Sequence, residues 1–176
     1  MNAGLFQIVW FACVLGGAKG LLWPAIVSFA VLAIWQLPAK RRHSSDLKLL
    51  VAAIVLGLIF DSLWVQLGFL NYVEQRPLSM LAPAWIIILW MGFALTINHS
   101  LTWMNSHPLL PLFLGAVCGP TSYLAGMKLG AVEYQADMVL ISACLAVSWG
   151  FSVWFLVHLS LEKAMIKQSK LSLIHI

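Results

Sequence analysis

The chain alternates long apolar runs with short polar breaks. Six runs, Ala3 to Ala18, Leu21 to Leu37, Leu47 to Leu70, Leu81 to Trp103, Leu109 to Met127 and Met138 to Leu159, are apolar on every face. A hydrocarbon layer about 30 Å thick is crossed by roughly 20 apolar helical residues, so the pattern predicts an all-α, polytopic bundle of six transmembrane helices. A spanning barrel would need segments of about ten residues that alternate strictly, which these runs do not. No internal repeat and no Ser, Gly or Pro-rich linker divides the runs, so residues 1–170 are expected to form one transmembrane domain.

Composition excludes a soluble globule: 62% of residues are hydrophobic and 9% charged, against about 25% charged in soluble domains. Basic residues are retained on the cytoplasmic side of a membrane. Lys40, Arg41, Arg42 and Lys48 separate runs two and three, and Lys163, Lys167 and Lys170 follow run six, whereas Lys19, Arg76 and Lys128 fall at the opposite ends. This bias predicts an N-in, C-in, multi-pass membrane protein. The net charge of +4 is then an orientation signal and calls for no nucleic-acid partner; membrane lipid is the expected surrounding.

No basic residue precedes run one, so it is read as a retained first helix and not a cleaved signal. The closing "LSLIHI", residues 171–176, resembles translated sequencing-adapter fragments and is expected to be non-native. Cys13, Cys118 and Cys144 lie inside runs without paired spacing, which points to buried small side chains.

Apolar side chains gain little by meeting one another in lipid, so small residues are expected at helix contacts. Gly115 and Gly119, Gly126 and Gly130, and Ser142, Ala146 and Gly150 recur four apart on single faces. They serve either a dimer or the packing of six helices within the bundle. Pro120 follows Gly119, lacks an N–H and crowds the carbonyl of Ala116, so the fifth helix is expected to kink there.

An acid within a span costs roughly 2.5 to 3.5 kcal/mol on insertion scales and must face protein or a cavity. Asp61 in "GLIFDSLWVQLG" is such an acid, on a face with Ala53, Gly57, Trp64 and Gly68. At about 1.5 Å per residue, Asp61 and Tyr123 both lie roughly 21 Å from the cytoplasmic ends of their helices, a depth at which they can meet. Asp61, Ser122, Tyr123 and Lys128, whose stem could reach back, therefore form a candidate polar site in the outer half. The alternative is a protonated structural acid.

A second candidate set, Thr96, Asn98, His99 and Ser100, lies in the inner half, too deep for His99 to share a catalytic dyad with Asp61. Trp64 and Trp90 are candidate pocket walls, with Gly119 and Pro120 beside them at the bend. No histidine cluster, glycine-rich nucleotide loop or nucleophile-turn motif is present, so neither metal nor cofactor is expected.

The segments "DSLWVQLG", "PAWIIILWMGFALTINHSLTWM" and "GAVCGPTSYLAGMKLGA" resemble a family of small proteobacterial inner-membrane proteins catalogued only as a domain of unknown function. The resemblance rests on Asp61, Trp64, Asn98, His99, Ser100, Gly119, Pro120 and Tyr123 and implies no assigned activity. The resemblance brings with it gene neighbourhoods containing fatty-acyl-modifying enzymes, a context that points towards membrane-lipid metabolism or envelope stress. The expected function is binding of a hydrophobic molecule or membrane-protein partner within the bundle. A lipid-modifying enzyme using acid–base chemistry and a small-solute transporter are the alternatives.

Overall fold

The computed structural model describes residues 1–73 and 77–174, with side chains described as far as residue 161. Arg76 and the last two residues of the adapter-like tail lie outside the described residues, as do the side chains of the rest of that tail.

Six α-helices follow one another: α1 (Asn2–Ala18), α2 (Trp23–Gln36), α3 (Asp46–Gln66), α4 (Ala84–Ile97), α5 (Leu110–Lys128) and α6 (Met138–Ile174). A short 3-10 helix, Thr102–Ser106, joins α4 to α5. Two three-residue strands that the apolar pattern does not predict, β1 (Leu70–Tyr72) and β2 (Val132–Tyr134), pair antiparallel with Leu70 opposite Tyr134 and Tyr72 opposite Val132. The end of the bundle bearing this strand pair is the strap end; the opposite end, bearing the α2–α3 connection and the 3-10 helix, is the loop end.

α3 and α5 close with the same device. Gly68 and Gly130 adopt positive φ of 68° and 78°, where a side chain would be strained. The next amide turns back, Phe69 to the Trp64 carbonyl at 2.9 Å and Ala131 to the Gly126 carbonyl at 3.0 Å, so each helix launches a strand two residues later. Asn71 and Glu133, opposite each other, bond at 3.1 Å. Period-two alternation then turns Leu70 and Tyr72 together into the protein, and both are buried.

Three helices are long and apolar enough to cross a membrane: α3 with 21 residues, α5 with 19 and the 24-residue part Met138–Leu161 of α6. Of the others, α1 matches its apolar run, while α2 and α4 are shorter than theirs. The fourth run, expected from Leu81 to Trp103, begins as helix only after Pro83 and ends at Ile97. Beyond it Asn98 and His99 turn their side chains onto the start of α3, and the chain leaves the helix to let them. α5 runs unbroken through Pro120, and the hydroxyl of Thr121 donates to the Val117 carbonyl at 2.7 Å.

α5 packs most extensively on α6, α3 on α4, and α1 on both α2 and α4. The α5–α6 contact is a small-residue contact. A Cβ on Gly115 would stand 2.4 Å from the carbonyl oxygen of Trp149, and one on Gly119 2.4 Å from the Trp149 side chain. Close backbone approach of this kind is what holds helices together where apolar burial alone gives no preference.

Candidate functional site

Asp61 is 1% exposed and is surrounded by donors from three other elements. Tyr72 of β1 donates its hydroxyl to Oδ1 at 2.6 Å, Tyr123 of α5 donates to the same oxygen, and the Trp90 indole of α4 donates to Oδ2 at 2.7 Å. Trp90 reaches this position because Gly57, one turn before Asp61 on α3, leaves room for it: a Cβ there would lie 2.5 Å from the indole. Trp149 of α6 stacks on Trp90 with centroids 4.2 Å apart and meets Tyr123 edge-on at 6.3 Å. A buried carboxylate needs several such donors to offset its lost hydration, and here two phenols and an indole supply them. Burial, and next the charge of Asp61, hold the Tyr72 phenol well above its usual value, so it stays a donor.

A second buried carboxylate lies about 22 Å away on the same helix, 15 residues earlier. Asp46 opens α3 and is 0% exposed. Asn98 donates to its Oδ1 at 2.7 Å, the backbone N–H of His43 reaches Oδ2 at 2.9 Å, and the His99 Nε2 stands 3.1 Å from Oδ2. Gln36 at the end of α2 bonds His99, and Asn2 at the start of α1 donates to Gln36 at 3.1 Å and to the Leu95 carbonyl at 3.1 Å. Ser100 donates to Asn2 at 2.8 Å. One polar network thus ties α1, α2, α3 and α4 at the loop end.

Between the two carboxylates runs a cavity of about 650 Å3 walled by α1, α4, α5 and α6. Its sides are apolar and aromatic, including Phe6, Trp10, Leu89, Phe93 and Trp149; Ser100, Trp103 and Met104 bound it at the loop end, and Tyr72 and Val132 at the strap end. No charged residue lines it. Asp61 stands behind the wall, bonded by Tyr72 and Tyr123, which do line it.

Of the residues singled out from the sequence, the fold brings Asp61, Tyr123 and Trp90 into contact. Ser122 lines the cavity one residue away, while Lys128 is exposed in the last turn of α5. Neither expected pocket wall lines the cavity: Trp64 stacks on Phe69 at 6.0 Å, and Trp90 is drawn behind it onto Asp61. Gly119 seats Trp149, and Pro120 is buried within α5. Asn98 and His99 meet on Asp46, Ser100 bonds Asn2 instead, and Thr96 bonds the Phe93 carbonyl at 2.6 Å while facing the cavity.

Sequence reasoning missed Tyr72, Asp46, Asn2 and Gln36. Tyr72 lies in a segment that reads as an outer loop, and Asp46 directly follows the basic stretch and reads as solvated. The available signal was that each of these polar residues lies within two positions of the end of an apolar run. Among the described residues no group of three or more His, Cys, Asp or Glu side chains could hold a metal ion.

A family model described as "Protein of unknown function (DUF2878)" matches residues 1–155. Comparison with curated proteins and with solved structures gives no match.

Proposed function

The chain belongs to this family, DUF2878, and we propose that it is a six-span, N-in, C-in protein of a bacterial inner membrane that binds a hydrophobic molecule in the cavity between α1, α4, α5 and α6. Large apolar side chains stand exposed on the shorter helices as well as the long ones, among them Phe11 of α1 and Ile34 of α2. An apolar girdle of this extent favours lipid around α1, α2, α3, α5 and α6, with α4, none of whose residues is exposed, at their centre. α2 and α4, about 21 Å long by helical rise, span a locally thinned layer with the help of their flanking turns.

The cavity carries the binding reading. It has the size of a small-molecule site, roughly 300 to 1,000 Å3, and the usual apolar lining with few polar groups. Ser122 lines it and takes no hydrogen-bond partner among the described residues, so it can be enlarged without breaking a bond. Purified wild-type protein is expected to carry a hydrophobic adduct in native mass spectrometry, and Ser122→Phe is expected to lose at least about nine-tenths of it with an unchanged melting temperature. Equal adducts on both proteins, or none on either, would count against the cavity as a binding site.

The lipid-modifying enzyme is supported by one observation, the His99–Asp46 contact at 3.1 Å with His99 21% exposed. An imidazole oriented by a carboxylate is suited to acid–base work. Such an enzyme would act in membrane-lipid metabolism or envelope stress, as the sequence resemblance suggests. If this reading holds, His99→Ala reproduces the lipidome of a deletion strain; a wild-type lipidome in the His99→Ala strain rejects it.

A further inference from the structure

We propose that the cavity holds one esterified acyl chain of a cytoplasmic-leaflet phospholipid, with the ester at the loop end and the terminal methyl beneath the β1–β2 strap. This rests on the binding reading above and gives it a ligand class and a direction.

The opening faces sideways. α1 packs on α2 and α4, and α5 on α6 and the 3-10 helix, so α1 and α5 stand as opposite lips of the cleft. Gln7 on one lip and Cys118 and Thr121 on the other are exposed. A lipid chain can pass between them without leaving the bilayer, its head group remaining outside.

The lining selects an ester over a free acid. An ionised carboxylate drawn into the cavity would find no lysine, arginine or histidine there, and an unpaired buried charge is prohibitively costly. An ester carbonyl is neutral and needs only a neutral donor, which Gln7 offers: its amide lines the cavity and takes no partner among the described residues. Thr96 and Ser100 line the same end, but their hydroxyls already donate to the Phe93 carbonyl and to Asn2, which leaves Gln7 as the donor.

The strap end is different in kind. The hydroxyls of Tyr72 and Tyr123 are turned away onto Asp61, so these residues offer ring surface to the cavity. The Trp85 nitrogen, buried and without a hydrogen-bond partner among the described residues, lies against α1, where a Cβ on Gly17 would stand 2.9 Å from it. Val132 and the two tyrosine rings offer a methyl terminus an apolar seat at this end.

The length agrees. From Leu114 to Gly126 the lining of α5 runs over 12 residue-to-residue steps, about 18 Å by helical rise, slightly more than the ~15 Å depth of one leaflet. An extended chain from the cytoplasmic leaflet therefore fills the cleft to the strap, whose position limits chain length. Gly126 lies at that limit, and a Cβ there would make only an ordinary 3.5 Å contact with Val132.

The test uses full-length protein in nanodiscs of phosphatidylethanolamine and phosphatidylglycerol. The probes are phosphatidylethanolamine bearing a diazirine either at the end of one acyl chain or beside its ester, and a free fatty acid with a terminal diazirine. After irradiation, the terminal phospholipid probe is expected to mark Tyr72, Trp85 or Val132, and the ester-proximal probe Ala3, Ser100 or Met104. Gly126→Leu is expected to cut terminal labelling at the strap at least threefold for the long chain and to restore it when the chain is shortened. Reversed marks, identical marks from both phospholipid probes, or stronger cavity labelling by the free acid would overturn the proposal while leaving a hydrophobic site in place. Labelling confined to the outer faces, such as Ile34 and Val139, would overturn the binding reading as well.

Discussion

Asp61→Ala is expected to lower the stability of the protein in detergent by about 4 kcal/mol, because three buried donors lose their acceptor at once and each costs about 1 to 3 kcal/mol when unpaired. The corresponding fall in melting temperature is on the order of 10 °C. Asp61→Asn is expected to cost about half as much, since its oxygen can still accept from Tyr72 and Tyr123 while its amide hydrogens face the Trp90 N–H. The diagnostic case is Asp61→Leu combined with Tyr72→Phe and Tyr123→Phe. Removing acceptor and donors together spares the protein most of the unpaired groups, so the triple variant is expected to be more stable than Asp61→Leu alone. A melting temperature for Asp61→Ala within about 2 °C of wild type would show that the carboxylate does not hold α3, α4, α5 and β1 together, since even 1 kcal/mol moves the midpoint by about 2 to 4 °C.

Gly115→Val carries the second large effect, a loss of about 3 kcal/mol from overpacking. The added Cβ would lie 2.4 Å from the Trp149 carbonyl oxygen and 2.9 Å from its carbonyl carbon. These are backbone atoms and cannot rotate aside, so α5 and α6 must separate. Trp149 then leaves its stack on Trp90, and the donor set on Asp61 loosens with it. Gly4→Ala is the matched control: nothing lies within 4 Å of its Cβ position, and replacing glycine inside a helix gains about 0.5 to 1 kcal/mol. Thermal melting of the two variants should therefore shift in opposite directions; a Gly115→Val protein as stable as wild type would mean that α5 and α6 are not in close backbone contact.

The meeting of Asp61 with Tyr123 was legible in the sequence because depth within a helix is a matter of counting residues. Rotation and loop placement are not. Lys128 follows Tyr123 by five residues, which at 3.6 per turn puts it about 140° around α5 and off the Asp61 face. Tyr72 reaches the carboxylate only because β1 pairs with β2, a pairing between segments 62 residues apart at Asn71 and Glu133. No local pattern specifies that register. Asp46 and His99 are 53 positions apart, and nothing in the apolar run containing His99 shows that the helix stops at Ile97 so that the imidazole can turn towards α3.

The number of apolar helices, their order and the burial of Asp61 were determined by sequence alone, because transfer out of water acts on each residue and segment independently of its neighbours. Which polar groups share a hydrogen bond, which helices stand apart to leave a cavity and which strand closes it were decided only in three dimensions. Those outcomes depend on steric fit between distant segments: Gly57 admitting Trp90, Gly119 admitting Trp149, and Tyr72 swung inward by the strap.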